Sequence, residues 1–431
     1  MSSIIEKDKK HVWHPFTQHF TAENPMEIVR AEGVRLYDLA GNEYIDANSS
    51  WWVNIHGHGN THIGKAMMKQ FNQIDHIVFA GVTHPKAVEL AERITKILPP
   101  ELEKVFFSDN GSTSVEIALK MIIQYWHNKG QNKKRFLAMN GSYHGDTFGA
   151  MSVGQRGYFN APFEPFFFDV DYIDFPNGEN EDLILLHAQS LFETGEFAGM
   201  ILEPLVQGAA GMRMYSAAFL DKLASLAKEN DVLIIYDEVM TGFGRTGKMF
   251  ATDYCEVKPD FITLSKGLTA GVMALGLTVT SNKIYNAFLG KEMTKALLHG
   301  HSFTANPIAC AVACANLDLF EQPRAIQGMK NLDLWNKEFR KELEEIEIVT
   351  NIRQQGTIIA FEIKTGEGNT YFSDIKAQAY AYFLNQGILI RPLGNVIFVN
   401  APLIISKEDY DKITQSILAF LSEGCRIKKH N

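Results

Sequence analysis

The fold is indicated most clearly by the stretch Phe261-Ile-Thr-Leu-Ser-Lys266-Gly267, in which a lysine directly follows an apolar run. A second apolar run, Asp231-Val-Leu-Ile-Ile-Tyr236, leads directly into Asp237. Both runs predict buried strands of an α/β protein, and open α/β sheets bind their ligands at the carboxyl ends of the strands. The sequence therefore predicts that Asp237 and Lys266 lie at one edge of a sheet.

A lysine and an aspartate at that edge suit one cofactor in particular. A lysine amine can form a Schiff base, and a carboxylate can keep a pyridine nitrogen protonated. These are the two groups that pyridoxal phosphate (PLP) requires of a protein. Taken singly, each residue also has an ordinary interpretation, because a strand-terminal aspartate often caps the next segment and a lysine is usually solvated.

Length and composition agree with an enzyme of more than one domain but do not select a particular function. The chain has 431 residues, of which 46% are hydrophobic and 21% charged, an ordinary globular balance. Its net charge of −9 disfavours nucleic acids and anionic membranes as partners. No apolar stretch approaches the roughly 20 residues of a membrane span, and the N-terminus lacks the apolar core of a signal peptide. We expect a cytoplasmic enzyme that acts on small molecules.

Two of the four cysteines, Cys310 and Cys314, share one helical face, a spacing that metal ligands also use. They lie in an alanine-rich run, which favours small buried residues over metal ligands. We therefore expect no metal site, and the sparse cysteines agree with a reducing cytosol.

The patterns along the chain divide it into three parts. Residues 1–60 indicate an N-terminal arm and hairpin that belong to a small domain. Residues 61–319 alternate between strand and helix patterns, which predicts a large domain with a mostly parallel sheet covered on both faces. Residues 320–431 indicate a smaller α+β domain. The strands predicted for the large domain are Lys104–Phe107, Arg135–Met139, Gly199–Leu202, Val232–Tyr236, Phe261–Leu264 and Leu275–Thr280.

Asn110-Gly111-Ser112-Thr113 follows the first of these strands and opens a predicted helix. The free N–H groups and the positive dipole end of a helix N-terminus suit a phosphate. An ordinary N-cap is the simpler interpretation of the motif by itself. Beside Asp237 and Lys266, a phosphate site becomes the better interpretation.

Tyr143-His144-Gly145-Asp146 follows the strand Arg135–Met139 at the same edge. An aromatic ring there fits over the face of a bound cofactor, and an exposed aromatic in a turn fits the pattern equally well. A nicotinamide-dependent oxidoreductase would need a Gly-x-Gly-x-x-Gly turn between a strand and a helix. We find none in that setting, which disfavours this class and also a nucleotide site at Gly242–Gly247.

Together these segments resemble the class III (fold type I) PLP aminotransferases, and the resemblance runs nearly end to end. The matching motifs are Asn110-Gly-Ser-Thr, Tyr143-His-Gly, Asp237-Glu-Val, Gly242–Gly247, Ser265-Lys-Gly and Phe303-Thr-Ala-Asn-Pro307. His11–Phe16, Ser49–Trp52 and Glu203–Gly208 further resemble those members that convert 7-keto-8-aminopelargonate into 7,8-diaminopelargonate in biotin biosynthesis.

The resemblance implies a role in cofactor binding for several residues. Lys266 would carry the PLP and move the proton, and Asp237 would pair with the pyridine nitrogen. Gly111 and Ser112 would hold the phosphate, and Tyr143 would pack near the ring. The sequence His301-Ser302 stands where the family has proline and threonine, and that threonine reaches a phosphate in the partner subunit. A homodimer with active sites shared across the interface is therefore implied.

The resemblance also implies a substrate pocket. Trp51 and Trp52 would form an apolar wall along the alkyl chain, and Arg391 would bind the distal carboxylate in a fork geometry. Gly300 would line the pocket, and Tyr143 would border the substrate. S-adenosylmethionine is the implied amino donor.

Phe16, in the substrate region, and Phe398 stand where tyrosines are usual in the members that use S-adenosylmethionine, so lysine is an alternative donor.

Aminotransferases with other substrates that resemble this chain can be distinguished from it at individual positions. Ornithine and 4-aminobutyrate aminotransferases carry a glutamate that gates an arginine, where this chain has Ala209 and no arginine in Val396–Leu403. An aminotransferase for another ω-amine or ω-amino acid would share Lys266 and Asp237. A non-catalytic binding protein is the remaining alternative.

Overall fold

The computed structural model describes residues 3–364 and 374–424. In chain order, the strands are β1 Ile28–Glu32, β2 Arg35–Asp38, β3 Glu43–Asp46, β4 Leu102–Ser108, β5 Arg135–Met139, β6 Val170–Ile173, β7 Phe197–Leu202, β8 Val206–Gln207, β9 Arg213–Met214, β10 Leu233–Asp237, β11 Phe261–Leu264, β12 Gly276–Ser281, β13 Val349–Gln355, β14 Ile358–Ile363, β15 Ile388–Leu389 and β16 Val396–Val399.

The α-helices, in the same order, are α1 Ile4–His11, α2 Ser49–Trp52, α3 Thr61–Phe71, α4 Pro85–Ile97, α5 Gly111–Asn128, α6 Phe148–Ser152, α7 Glu181–Phe192, α8 Ala217–Glu229, α9 Asn282–Asn286, α10 Pro307–Phe320, α11 Pro323–Glu344, α12 Asp374–Asn385 and α13 Lys407–Ala419. Short 3-10 turns lie at Ala161–Phe166, Ala251–Tyr254, Lys266–Thr269 and Met293–Lys295, and a π-helical turn lies at Phe420–Gly424. Within the described residues, none of the helices has both the length and the apolar character needed to cross a bilayer.

The central sheet has seven strands in the order β4-β12-β11-β10-β7-β5-β6. The five strands from β11 to β6 run parallel to their neighbours, whereas β12 runs antiparallel to both β11 and β4. All the predicted strands of the large domain are present in it. The α/β class with a mostly parallel sheet is therefore confirmed.

Alternate residues of β10 face opposite sides of this sheet, as the two-residue period of a strand requires. Leu233 and Ile235 belong to the hydrophobic cluster that includes Val115 and Ile122 of α5. Ile234 and Tyr236 belong to the cluster on the other side, which includes Phe219 of α8. Because both faces are covered, the strand is apolar throughout until it reaches Asp237.

The described residues form three smaller sheets besides the central one. The first has the order β1-β2-β3-β15, the second has the order β13-β14-β16, and the third pairs β8 with β9. In the first, β15 pairs in parallel with β3, with Ile388 opposite Ile45. The pairing brings the beginning of the chain beside its C-terminal part and is compatible with a small domain built from both. The domain boundaries at residues 60 and 319 stay a prediction.

Candidate active site

Asp237 is the last residue of β10, and the residue is 4% exposed. One carboxylate oxygen, Oδ1, accepts hydrogen bonds from the Val239 N–H at 3.0 Å and from the Thr263 hydroxyl at 3.2 Å. The other oxygen, Oδ2, lies 2.7 Å from Nδ1 of His144. The carboxylate is thus held in one orientation at the edge that the sequence predicts.

Lys266 follows β11, the parallel neighbour of β10, so the two candidate residues do reach the same edge. Its φ of 43° is in the left-handed region, which a side chain other than glycine rarely adopts. The Lys266 Nζ lies 4.6 Å from the centre of the Trp52 ring. Burial lowers the pKa of the amine to about 8, although the charges of Asp237 and Glu203 oppose the shift. An amine with this pKa is partly neutral, and hence nucleophilic, near physiological pH.

His144 supports Asp237 from the Tyr143-His144-Gly145 segment. A carboxylate only accepts hydrogen bonds, so Nδ1 of His144 carries the hydrogen. The other ring nitrogen, Nε2, is buried and has no hydrogen-bond partner among the described residues. The sequence shows this histidine within a motif but does not indicate its role, because the pairing with Asp237 joins residues 93 positions apart.

Glu203 is a second buried carboxyl that the sequence analysis left without a role. Its oxygens accept the N–H groups of Tyr143 at 3.0 Å and Gly208 at 2.9 Å. Burial raises the pKa of the Glu203 carboxyl to about 7, with His144 opposing the shift and Asp237 adding to it. The Tyr143 hydroxyl donates to Asp146 at 2.9 Å, and burial raises its pKa above the ordinary value. Glu203 therefore fixes the backbone on two sides of the site.

The N-terminus of α5 lies beside this group. Asn110 caps the helix by accepting the Thr113 N–H at 2.9 Å, so the capping interpretation of the motif is correct. No group in the described part of the chain accepts from the N–H of Gly111 or Ser112. A side chain at Gly145 would place its Cβ 2.3 Å from the Ser112 hydroxyl oxygen. The glycine thus lets two segments approach closely around amides that remain available for an anion.

These groups fit PLP. A buried carboxylate ends β10, a lysine with a lowered pKa follows β11, and a long helix presents unpaired N–H groups on the same side. They match the pyridine nitrogen, the aldehyde and the phosphate of the cofactor, respectively.

The tryptophan pair lies on a backbone in an unusual conformation. Ser49, Ser50 and Trp52 have φ values of 50°, 58° and 64°. Such left-handed residues cost about 1–3 kcal/mol each and persist where the surroundings hold them. Asp46 holds this turn by accepting the N–H and the hydroxyl of Ser50 at 2.8 and 3.0 Å. As a result Trp52 is buried, whereas Trp51 is half-exposed.

Arg391 lies at the outer end of this aromatic pair. Its guanidinium carbon is 5.2 Å from the centre of the Trp51 ring, and its side chain is exposed. The Lys266 amine therefore lies beside one of the two adjacent tryptophans, and the Arg391 guanidinium lies beside the other. Such an arrangement offers an apolar surface with an amine at one end and a cation at the other.

Two phenylalanines occupy different positions relative to the tryptophans. The Phe16 ring lies 5.8 Å from Trp51 and 6.2 Å from Phe159, which the sequence analysis missed. Phe398 is buried, and its ring packs 6.2 Å from Trp52. Of Phe16 and Phe398, Phe16 is therefore the one exposed beside Trp51.

Gly300, His301 and Ser302 are not brought to Lys266 within one chain. In the described part of the chain, their loop contacts Lys120 through His299 and His76 through Phe303. Gly300 and Ser302 are exposed, and the ring nitrogens of His301 are buried without a hydrogen-bond partner among the described residues.

The glycine run Gly242–Gly247 has the Gly-x-Gly-x-x-Gly spacing of dinucleotide-binding turns. The structure nevertheless gives no strand–turn–helix there, because the run consists of turns that lead to the 3-10 turn Ala251–Tyr254. Its Arg245 is buried and donates to the carbonyl oxygens of Ala401 at 3.1 Å and Trp52 at 3.3 Å. The run therefore supports the tryptophan turn instead of opening a helix toward a phosphate.

The family described as Aminotransferase class-III matches residues 18–421. The adenosylmethionine-8-amino-7-oxononanoate aminotransferase of Synechococcus elongatus is 43% identical over 422 residues, which cover 96% of this chain and 99% of that protein. The crystal structure of the enzyme of the same name from Methanocaldococcus jannaschii aligns with a TM-score of 0.92 at 36% identity, covering 97% of this chain and 98% of that one. An amine transaminase from an uncultivated Pseudomonas species, in a PLP-bound form, aligns with a TM-score of 0.87 at 28% identity, covering 96% and 98%.

Proposed function

Because the chain belongs to the class-III aminotransferase family and is a PLP-dependent enzyme, we propose that it converts 7-keto-8-aminopelargonate into 7,8-diaminopelargonate in biotin biosynthesis. The names of relatives that are similar over nearly their whole length support this substrate. We further propose that S-adenosylmethionine is the amino donor and that the enzyme acts in the cytoplasm.

One observation carries the choice of substrate. The Lys266 Nζ lies 4.6 Å from the ring of Trp52, and the Arg391 guanidinium carbon lies 5.2 Å from the ring of Trp51. An acceptor with its keto group near one end and a carboxylate at the other, joined by an alkyl chain, matches this order of amine, apolar surface and cation. A short keto acid such as pyruvate would leave the apolar surface uncovered.

The cofactor residues act as follows in this proposal. Bound PLP supplies the aldehyde that carries the amino group and the ring that spreads negative charge during transfer. Lys266 holds the cofactor by its Nζ atom and moves the proton with the same atom. Asp237 keeps the pyridine nitrogen protonated, and His144 orients Asp237 through the 2.7 Å contact. Gly111 and Ser112 bind the phosphate through their N–H groups.

The remaining cofactor contacts come from the partner subunit of a homodimer. Ser302 is exposed, and among the described residues of one chain no hydrogen bond or aromatic contact joins residues 299–303 to Asp237 or Lys266. We assign Ser302 and His301 to the phosphate of the partner's cofactor, and Gly300 to the partner's substrate pocket. Tyr143 borders the ring on its own side of the site.

The aromatic residues at the mouth bind the substrates. Trp51 and Trp52 contact the alkyl chain of the acceptor, and Arg391 binds its carboxylate. Phe16, exposed beside Trp51 at 5.8 Å, adds an aromatic face for the sulfonium and adenine of S-adenosylmethionine. Its missing hydroxyl costs the donor a hydrogen bond of about 1 kcal/mol, which corresponds to roughly fivefold to tenfold in affinity.

An assay of 7-keto-8-aminopelargonate with S-adenosylmethionine, lysine and other amines tests the proposal, with 7,8-diaminopelargonate quantified by mass spectrometry. We expect product with S-adenosylmethionine. Product with lysine alone would change the donor and leave the reaction intact. Absence of product with every donor, together with turnover of another ω-amine and pyruvate, would contradict the proposal.

A further inference from the structure

Asn48 is a buried amide that joins three parts of the substrate pocket. It precedes the turn Ser49–Trp52 and is 1% exposed. Its Oδ1 accepts the backbone N–H of Arg391 at 2.7 Å, and its Nδ2 donates to the carbonyl oxygen of Phe398 at 2.9 Å. Both ends of one side chain are thus used to connect the tryptophan turn with segments about 350 positions away.

The bond to Arg391 takes the place of a rung in a β-ladder. The N–H groups of Ile45 and Ala47 in and after β3 donate to the carbonyls of Gly387 and Leu389 at 2.9 and 3.1 Å. The Ala47 carbonyl is engaged by the Asn400 N–H at 3.0 Å, so the backbone ladder ends there. The N–H of Arg391 therefore pairs with the Asn48 side chain instead of a backbone carbonyl.

The position of Arg391 depends on this bond, because the regular secondary structure next to it is short. The preceding strand, β15, has two residues, and the arginine side chain itself is exposed. On the other side of Asn48, the ring of Phe398 packs 6.2 Å from Trp52. A shift of Asn48 therefore changes the position of Arg391 relative to both tryptophans.

We propose that Asn48 is a positioning residue which sets the distance between the Arg391 guanidinium and the tryptophan pair, and thereby the length of alkyl chain that the pocket accepts. This inference rests on the proposed function, because it takes Arg391 as the binding site of a carboxylate. Only an amide of this length supplies an acceptor to Arg391 and a donor to Phe398 at the same time.

The test measures the binding of straight-chain monocarboxylates, from heptanoate to undecanoate, to the PLP-loaded enzyme by calorimetry. We expect wild-type enzyme to bind one length best and Asn48→Ala to lose that preference, with binding of the best length weakened about tenfold. Asn48→Asp keeps the acceptor for Arg391 and loses the donor to Phe398, so an intermediate profile is expected.

Asn395→Ala is the matched control. Asn395 is also buried, and its Nδ2 donates to the Ile363 carbonyl at 2.9 Å instead of bonding to Arg391. We expect this variant to lower the melting temperature and to keep the wild-type length preference. If Asn48 had only a structural role, Asn48→Ala would likewise lower the melting temperature and keep the wild-type length preference.

Parallel profiles for wild type and Asn48→Ala would overturn the inference, as would a wild-type profile without any preference. If Asn48→Ala does not fold, an Asn48→Asp profile equal to that of wild type would overturn the inference as well. Failure of the proposed function is distinguished by the acceptor assay, because an enzyme that does not aminate 7-keto-8-aminopelargonate can still show a carboxylate length preference that depends on Asn48.

Discussion

The His144 Nδ1 lies 2.7 Å from Oδ2 of Asp237, and both side chains are closed to solvent. With the Val239 N–H and the Thr263 hydroxyl on Oδ1, donors from three segments of the chain converge on one carboxylate. The charge that faces the cofactor is therefore held at a fixed place by the strand ends and the loop after β5.

Asp237→Asn should retain PLP and lose most of the turnover. The amide has nearly the same shape, but it is neutral and no longer favours a protonated pyridine nitrogen. We expect kcat to fall by at least about 100-fold, equivalent to about 2.7 kcal/mol. Thr263→Val removes only the 3.2 Å donor and should cost far less. Near-wild-type turnover in Asp237→Asn, measured at saturating substrate, would remove this residue from the mechanism.

Lys266→Ala should abolish covalent attachment of the cofactor. Reduction of wild-type enzyme with borohydride, followed by peptide mapping, should place the pyridoxyl group on the peptide that contains Lys266. Lys248→Ala, at an exposed lysine that donates to the Asp253 carbonyl, is the control and should leave both attachment and turnover unchanged. A pyridoxyl group on any other lysine of the wild-type protein would show that the assignment is wrong.

Attachment of PLP to the apoenzyme should become faster as the pH rises through about 8. Burial lowers the pKa of the Lys266 amine, so the neutral, nucleophilic form appears at lower pH than for an exposed lysine, whose pKa is about 10.4. Stopped-flow absorbance at a series of pH values gives the midpoint. A midpoint close to that of an exposed lysine would mean that the amine is solvated when it reacts.

Arg391→Ala should lower kcat/KM for 7-keto-8-aminopelargonate about tenfold, or about 1.4 kcal/mol. Hydrogen bonds to charged groups contribute about 1.5–3 kcal/mol, and because Arg391 is exposed, solvent reduces this value below that of a fully buried pair. Arg391→Lys keeps the charge and loses the fork geometry, so its kcat/KM should lie between those of wild type and Arg391→Ala. The half-reaction with the amino donor, followed separately, should change much less; equal losses in both halves would indicate a general defect.

Mixed dimers should reveal whether the active site is shared between subunits. Lys266→Ala and Ser302→Asp homodimers should each be weak, the second because a carboxylate repels the phosphate. If Ser302 serves the partner's cofactor, heterodimers of the two variants should regain one intact site and up to half of the wild-type activity per dimer. Ser190→Asp, on an exposed face of α7, is the control for the added charge. Lack of recovery in verified heterodimers would place each site within one chain.

The sequence predicts the central sheet well because its strands are apolar on both faces. Leu233–Asp237 and Phe261–Leu264 are buried at every position, and such runs stand out against their polar flanks. By contrast, β6 has the sequence Val-Asp-Tyr-Ile and is largely half-buried, so its pattern did not predict a strand. The placement of Asp237 and Lys266 at the sheet edge could therefore be predicted, because both residues come at or just after the ends of these well-predicted strands.

The supporting residues were not predictable in the same way. Asn48 and Glu203 act through hydrogen bonds to backbone groups, which any residue provides, so their partners leave no pattern in the sequence. Phe159 reaches Phe16 only in the folded chain. The partners of Asn48 lie about 350 positions away, and local periodicity carries no information over such a separation.

The pairing of β3 with β15 also has a consequence for the order in which the protein is made. Ile45 leaves the ribosome early, whereas its partner Ile388 follows roughly 340 residues later, about 20–70 seconds at usual rates of synthesis. Until then, the tryptophan turn lacks the Arg391 N–H and the Phe398 carbonyl to which Asn48 bonds. The substrate pocket is therefore among the last parts of a nascent chain to form. A chain that is released before Arg391 and Phe398 are synthesised contains Trp51 and Trp52 but cannot form the pocket around them.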